Sequence, residues 1–111
     1  MPKKARSFTP QTLDAAAVLG AQIAQARRAR RWTAAELGER VGVSARTITS
    51  LEHGSPSVTL GIAFEAASLL GIALFGAEGP ELTQLARRMQ ENVALLPSRV
   101  YSRKEPARDD F

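Results

Sequence analysis

Cysteine is absent from the 111-residue sequence, which excludes disulfides, thiolate chemistry and sulfur-ligated metals. Histidine occurs once, as His53, so no second imidazole is available for a metal site. Its place at the end of a helical stretch reads as a C-terminal helix cap. Aromatic residues make up only 5% while alanine is abundant, a balance that favours thin, closely packed helices over a β-sandwich. No apolar run approaches the ~20 residues that a membrane span needs. Met1-Pro2-Lys3-Lys4 is followed by no apolar stretch, so no secretory signal is expected and the protein reads as cytoplasmic. There is no glycine-rich phosphate loop, nucleophile elbow or paired-carboxylate spacing. No catalytic centre, metal or cofactor is expected, and the chain does not read as an enzyme.

Apolar residues reach 44%, enough for one compact core, and the length leaves no room for a second sizeable one. Lys and Arg outnumber Asp and Glu by 15 to 11, giving a net charge of +4 that invites a nucleic-acid partner. The excess is uneven: residues 1–31 carry +6 and residues 32–58 carry −1. Thr9-Pro10 predicts an N-cap and first helical residue, opening a long helix over 11–30. Leu19, Ile23, Ala26 and Arg27 share one face of it. The run Arg27-Arg28-Ala29-Arg30-Arg31 places cations at its C-terminal end, where the helix dipole favours them.

Thr33-Ala34-Ala35-Glu36 is a capping box that starts a short helix with Leu37 and Val41. Gly42 supplies the positive φ of a sharp turn. Ser44 caps a third helix in which Ile48 and Leu51 point inward. Gly38 stands where these two helices cross, a place with no room for a side chain. Ser55-Pro56-Ser57 is a loop. From Thr59 a fourth helix places Leu60, Ala63, Phe64, Ala67 and Leu70 on one stripe and ends at Gly71. Ile72 to Phe75 is too short for a helix. It reads either as a brief strand or as an irregular connector with Leu74 and Phe75 buried. Pro80-Glu81 opens a fifth helix with Leu82, Leu85, Ala86, Met89, Val93 and Leu96 on its apolar face, and packing of that face on the chain's own core is expected. Pro97 stops it.

Residues 33–54 resemble the helix-turn-helix of the lambda-repressor-like (Xre) family of bacterial regulators. Thr33, Glu36, Leu37, Gly38, Val41, Gly42, Val43, Ser44, Thr47, Ile48, Leu51, Glu52 and Gly54 carry the resemblance. It implies an all-α, five-helix DNA-binding domain whose third helix enters the major groove. Ala45, Arg46 and Ser50 would then face base edges, with Ser44, Thr47 and Thr49 beside them. Arg46 has the most to offer, because its fork can bond guanine O6 and N7 together; a phosphate contact is the other reading of it. Arg27 and Glu52 match a structural ion pair of the family. Trp32 reads as part of the core.

Two positions depart from the family. Ala34 stands where a phosphate-binding glutamine is common, and Arg31 where glycine is common, at a cost of about 1 kcal/mol if that turn needs positive φ. Thr33 with its backbone N–H, Arg28, Arg31 and Arg40 are the substitute phosphate contacts. The implied partner is a palindromic double-stranded operator bound by a homodimer. Ile72, Leu74 and Phe75 are the candidate dimer surface, as a strand that pairs across a two-fold.

The layout from Thr9-Pro10 through Ser57-Val58-Thr59-Leu60 and Leu70-Gly71-Ile72-Ala73-Leu74 is also similar to HipB-type antitoxins. That similarity implies autorepression and inhibition of a HipA-like kinase toxin. A stand-alone repressor, or a module that mainly sequesters a partner protein, are the alternatives. Four parts are thus expected: a flexible basic arm over 1–11, the helix-turn-helix domain over 12–76, an additional helix over 80–96 and a disordered tail over 97–111. Terminal Phe111, beside Asp109 and Asp110, is a candidate for insertion into a partner.

Overall fold

The computed structural model describes residues 7–100. The basic residues Lys3, Lys4 and Arg6 of the expected arm, and residues 101–111 of the expected tail with Phe111, lie outside them. Five helices follow one another: α1 (Pro10–Ala29), α2 (Ala34–Val41), α3 (Ala45–Glu52), α4 (Leu60–Leu69) and α5 (Pro80–Ala94). The chain divides into two compact units between Glu78 and Gly79 in sequence. Among the described residues, no helix is long and apolar enough to cross a membrane.

The first unit is built on Ile23, Leu37, Ile48, Leu51, Ala63, Ala66 and Leu70, which form one buried cluster. Ile23, Leu37 and Ile48 are wholly shielded from water, each worth about 1.5–3 kcal/mol of burial. Two glycines let the helices come this close. A Cβ at Gly38 would lie 2.6 Å from the Val43 carbonyl oxygen, and one at Gly20 would lie 2.3 Å from that of Leu51. Gly38 thus seats α2 against the turn before α3, and Gly20 seats α1 against the end of α3.

The local signals act as their chemistry dictates. Thr9 accepts from the Thr12 N–H and starts α1. At α2 the Thr33 hydroxyl accepts from the Glu36 N–H at 3.0 Å, while Glu36 Oε1 accepts from the Thr33 N–H at 2.7 Å. Gly42 then turns the chain with φ 93°, and Ser44 accepts from the Thr47 N–H to start α3. Arg31 occupies the left-handed region at φ 61°, so the substitution for glycine there does carry strain.

Three expectations change. The buried side of α4 is Ala63, Ala66 and Ala67 with Leu70 beyond its end, whereas Leu60 is 69% exposed and Phe64 only half-buried. Alanines face inward because the helices approach closely there, and the larger side chains are left outside. Residues 72–75 are not a strand. Positive φ at Gly71, Phe75 and Gly76 folds this segment back on itself, leaving one isolated bridge between Leu74 and Ala77. Ile72 packs against the core and Leu74 is half-buried. Phe75 is 74% exposed, its ring edge-on to Phe64 at 5.9 Å, so the connector reading holds without the burial of Phe75.

The second unit contains α5, which starts at Gly79-Pro80 and ends before Pro97. None of its residues is buried, against the expectation of a packed apolar face. Leu82 and Leu85 are half-buried, and Met89, Val93 and Leu96 are exposed.

Candidate nucleic-acid interface

The outer surface of α3 is set by what its inner surface must do. Ile48 and Leu51 are buried, and at about 100° per residue this turns 46, 49, 50 and 53 away from the core. Ala45, Arg46, Thr49 and His53 are exposed, and Ser50 is half-buried among them. Arg46 makes no hydrogen bond or ion pair among the described residues, so its five donors are open to an external acceptor. Ser44 and Thr47 are less free: their hydroxyls lie 3.2 Å apart, and the Ser44 oxygen also receives the Thr47 N–H. Those two residues hold the start of the helix.

The far end of α3 is tied down by an ion pair. Arg27 Nε donates to Glu52 Oε2 at 2.6 Å and its Nη2 to Oε1 at 2.9 Å, with the side chains 12% and 8% exposed. A third bond runs from Arg27 Nη1 to the Trp32 carbonyl oxygen at 2.7 Å. The Glu52 bond pushes the Arg27 guanidinium above its ordinary value, outweighing the opposing effect of burial. One side chain of α1 therefore holds both the end of α3 and the turn into α2. With the α1–α3 contact at Gly20, this fixes the exposed stripe on a rigid base, as readout of base edges requires.

The basic residues around the α1–α2 turn divide into engaged and open groups. Arg40 lies over the Trp32 ring at 4.1 Å and Arg30 at 5.4 Å. Arg30 also donates to the Leu69 carbonyl oxygen at 2.9 Å. Trp32 is half-buried against the core, so its ring is a packing element that two arginines cover. Arg28 and Arg31 are exposed without a side-chain partner among the described residues. The Thr33 backbone N–H is not available for a ligand, because Glu36 occupies it. The open donors at this helix start are the N–H groups of Ala34 and Ala35, for which helix geometry supplies no acceptor.

Beside α3 runs a groove of about 330 Å³ lined by Arg46, Thr47, Ser50, Ser55, Ser57 and Thr59, together with the apolar Val58 and Ile62. The hydroxyls of Ser55, Ser57 and Thr59 were not legible as site residues. In the sequence they are ordinary loop and cap residues, and only the fold brings them beside Arg46. Together the surface offers a guanidinium, several hydroxyls and open helix-start N–H groups, a donor-rich set suited to phosphates and base edges.

Neither a curated protein nor a solved structure matches the chain. Residues 23–75, which run from the middle of α1 through the connector after α4, match the family model described as Helix-turn-helix. This segment is thus similar to the helix-turn-helix domains of the Xre, lambda-repressor-like family, whose members are DNA-binding regulators.

Proposed function

We propose that the chain is a repressor that binds a palindromic operator as a homodimer and, in the setting of an antitoxin, holds a HipA-like kinase toxin inactive. The observation that carries the DNA part is the exposed, unpartnered Arg46 on a helix braced by Arg27 and Glu52. In this reading Arg46 and Ser50 meet base edges, Ala45 touches an apolar edge such as a thymine methyl, and Thr49 lies beside them. Arg28, Arg31 and the N–H groups of Ala34 and Ala35 hold phosphates; Arg40 braces Trp32 instead.

One eight-residue helix reaches only a few base pairs. Two copies about 34 Å apart would read a palindrome of useful length. Phe75, exposed beside Leu74, is the apolar candidate for bringing them together, while Ile72 supports the turn from the core side. The antitoxin setting rests on the similarity to HipB-type proteins noted in the sequence.

Isolation of the protein from its own cells, with mass spectrometry of co-purifying proteins and sequencing of bound DNA, tests all three parts. A co-purifying kinase supports the antitoxin setting, and specific DNA alone leaves a simple repressor. Recovery of a partner protein with no specific DNA would overturn the repressor reading.

A further inference from the structure

The groove beside α3 carries charge of one sign. Arg46 is the cation that lines it, and no carboxylate does. Around Arg46 the fold collects the hydroxyls of Ser50, Ser55, Ser57 and Thr59. Gly54 turns the chain at φ 82°, and the Ser55 N–H then donates to the Ser50 carbonyl oxygen at 3.0 Å, which brings the loop back to α3. Val58 packs against the buried cluster and so anchors Ser57 and Thr59 on either side of it. The side chains of Arg46, Ser50, Ser57 and Thr59 make no hydrogen bond among the described residues. Ser55 accepts from the Ser57 N–H at 3.3 Å and keeps its own O–H to give.

These groups select a ligand by charge, shape and size. A guanidinium fork matches the two oxygens of a carboxylate, and one guanidinium balances one negative charge. A monocarboxylate therefore fits better than a phosphate dianion. Hydroxyls beside the fork suit a ligand that carries a hydroxyl of its own, and Val58 and Ile62 offer cover for a short carbon chain. At about 330 Å³ the space is at the small end of ligand clefts, which run from about 300 to 1,000 Å³. Arg46 cannot give its fork to a carboxylate and to the O6 and N7 of guanine at the same time.

We propose that this groove binds a small aliphatic hydroxy acid through Arg46, and that the bound acid competes with DNA, so that it acts as an effector releasing the protein from its operator. The effector role rests on the DNA-binding reading; the acid site itself does not.

The test uses the full chain labelled with nitrogen-15 and 2-hydroxy-3-methylbutanoate as the probe, titrated at constant ionic strength. The Arg46 Nε signal and the amide signals of Ser50, Ser57 and Thr59 should shift together and saturate in the millimolar range, as a ligand this small allows. The neutral amide of the same acid should leave them in place. Arg46→Gln should abolish the saturable shift. Thr59→Val, which removes a hydroxyl that caps nothing, should weaken acid binding by about threefold or more. On a duplex selected from a random-sequence pool, acid at about ten times its dissociation constant should raise the apparent dissociation constant for DNA about elevenfold. The amide should leave it unchanged. No saturable shift, equal shifts with the amide, or acid binding retained in Arg46→Gln overturns the site. Saturable acid binding with unchanged affinity for the selected duplex overturns the effector role and leaves the DNA reading intact. A protein that binds the acid and selects no duplex overturns the DNA reading and the effector role with it.

Discussion

Arg27 and Glu52 show how one pair of side chains ties two helices together. Both are largely shielded, and both carboxylate oxygens are occupied. Removing one partner strands the other charge away from water, a loss of about 3–5 kcal/mol. Glu52→Ala should therefore lower the urea midpoint sharply, and a loss under about 1 kcal/mol would show that the pair is solvated in solution. Arg46 makes the opposite case, because nothing in the fold needs it. Arg46→Ala should leave stability within about 0.5 kcal/mol yet lose about 1–3 kcal/mol of discrimination at one base position. Equal weakening on every sequence would reassign Arg46 to the phosphates. Arg31, at φ 61°, should gain up to about 1 kcal/mol of stability on replacement by glycine, readable as a rise in melting temperature. Gly38 and Gly42 were legible as crossing and turn because they sit inside a motif. Gly20 was not: a glycine within a long helix reads as a weak helix former, and only the Leu51 carbonyl beside it reveals its role.

At the scale of elements, α2 and α3 were readable almost residue by residue because each begins with its own hydrogen-bonding signal. Thr33 with Glu36, and Ser44 with Thr47, set where the helices start, and alternating burial sets which side faces in. Neither aid exists in α4. Apart from Gly61, Glu65 and Ser68 its residues are all apolar, so periodicity cannot choose a face, and close approach to the core selects the alanines. At 72–75 the sequence does not choose between strand and connector, for a related reason. Four apolar residues have the composition of a strand, but Gly71, Phe75 and Gly76 lie in the left-handed region and bend the chain back. The fifth helix was legible from Pro80 and its apolar spacing, while the burial of that stripe depended on a cover that sequence does not reveal. With no buried residue in α5, Val93→Glu should change stability by no more than about 0.5 kcal/mol. A loss of several kcal/mol in chemical denaturation would mean that the stripe is covered in solution, by a second copy or otherwise.

For the whole molecule, the net charge of +4 says less about DNA than its distribution does. Residues 32–58 carry −1 and hold the helix proposed to read bases, so in that reading recognition rests on Arg46 and on hydrogen bonding more than on a field of charge. The +6 over residues 1–31 has a different part to play. Charge that meets phosphates raises affinity for every duplex alike and makes it salt-dependent; charge that meets bases raises the ratio between duplexes. Lys3, Lys4 and Arg6 precede α1 in the sequence, while Arg46 is in α3, which the Arg27–Glu52 ion pair locks to α1. The two contributions should thus separate cleanly. Replacing Lys3, Lys4 and Arg6 by glutamine should flatten the salt dependence by up to about 2.7 in log–log slope, three phosphates at about 0.9 each. The preference for a selected duplex over an unrelated one should stay as it was. Arg46→Ala should do the reverse, keeping most of the slope and losing the preference. If the triple replacement instead erased the preference, those residues would be reading the minor groove, and sequence recognition would be shared between the segment before α1 and α3.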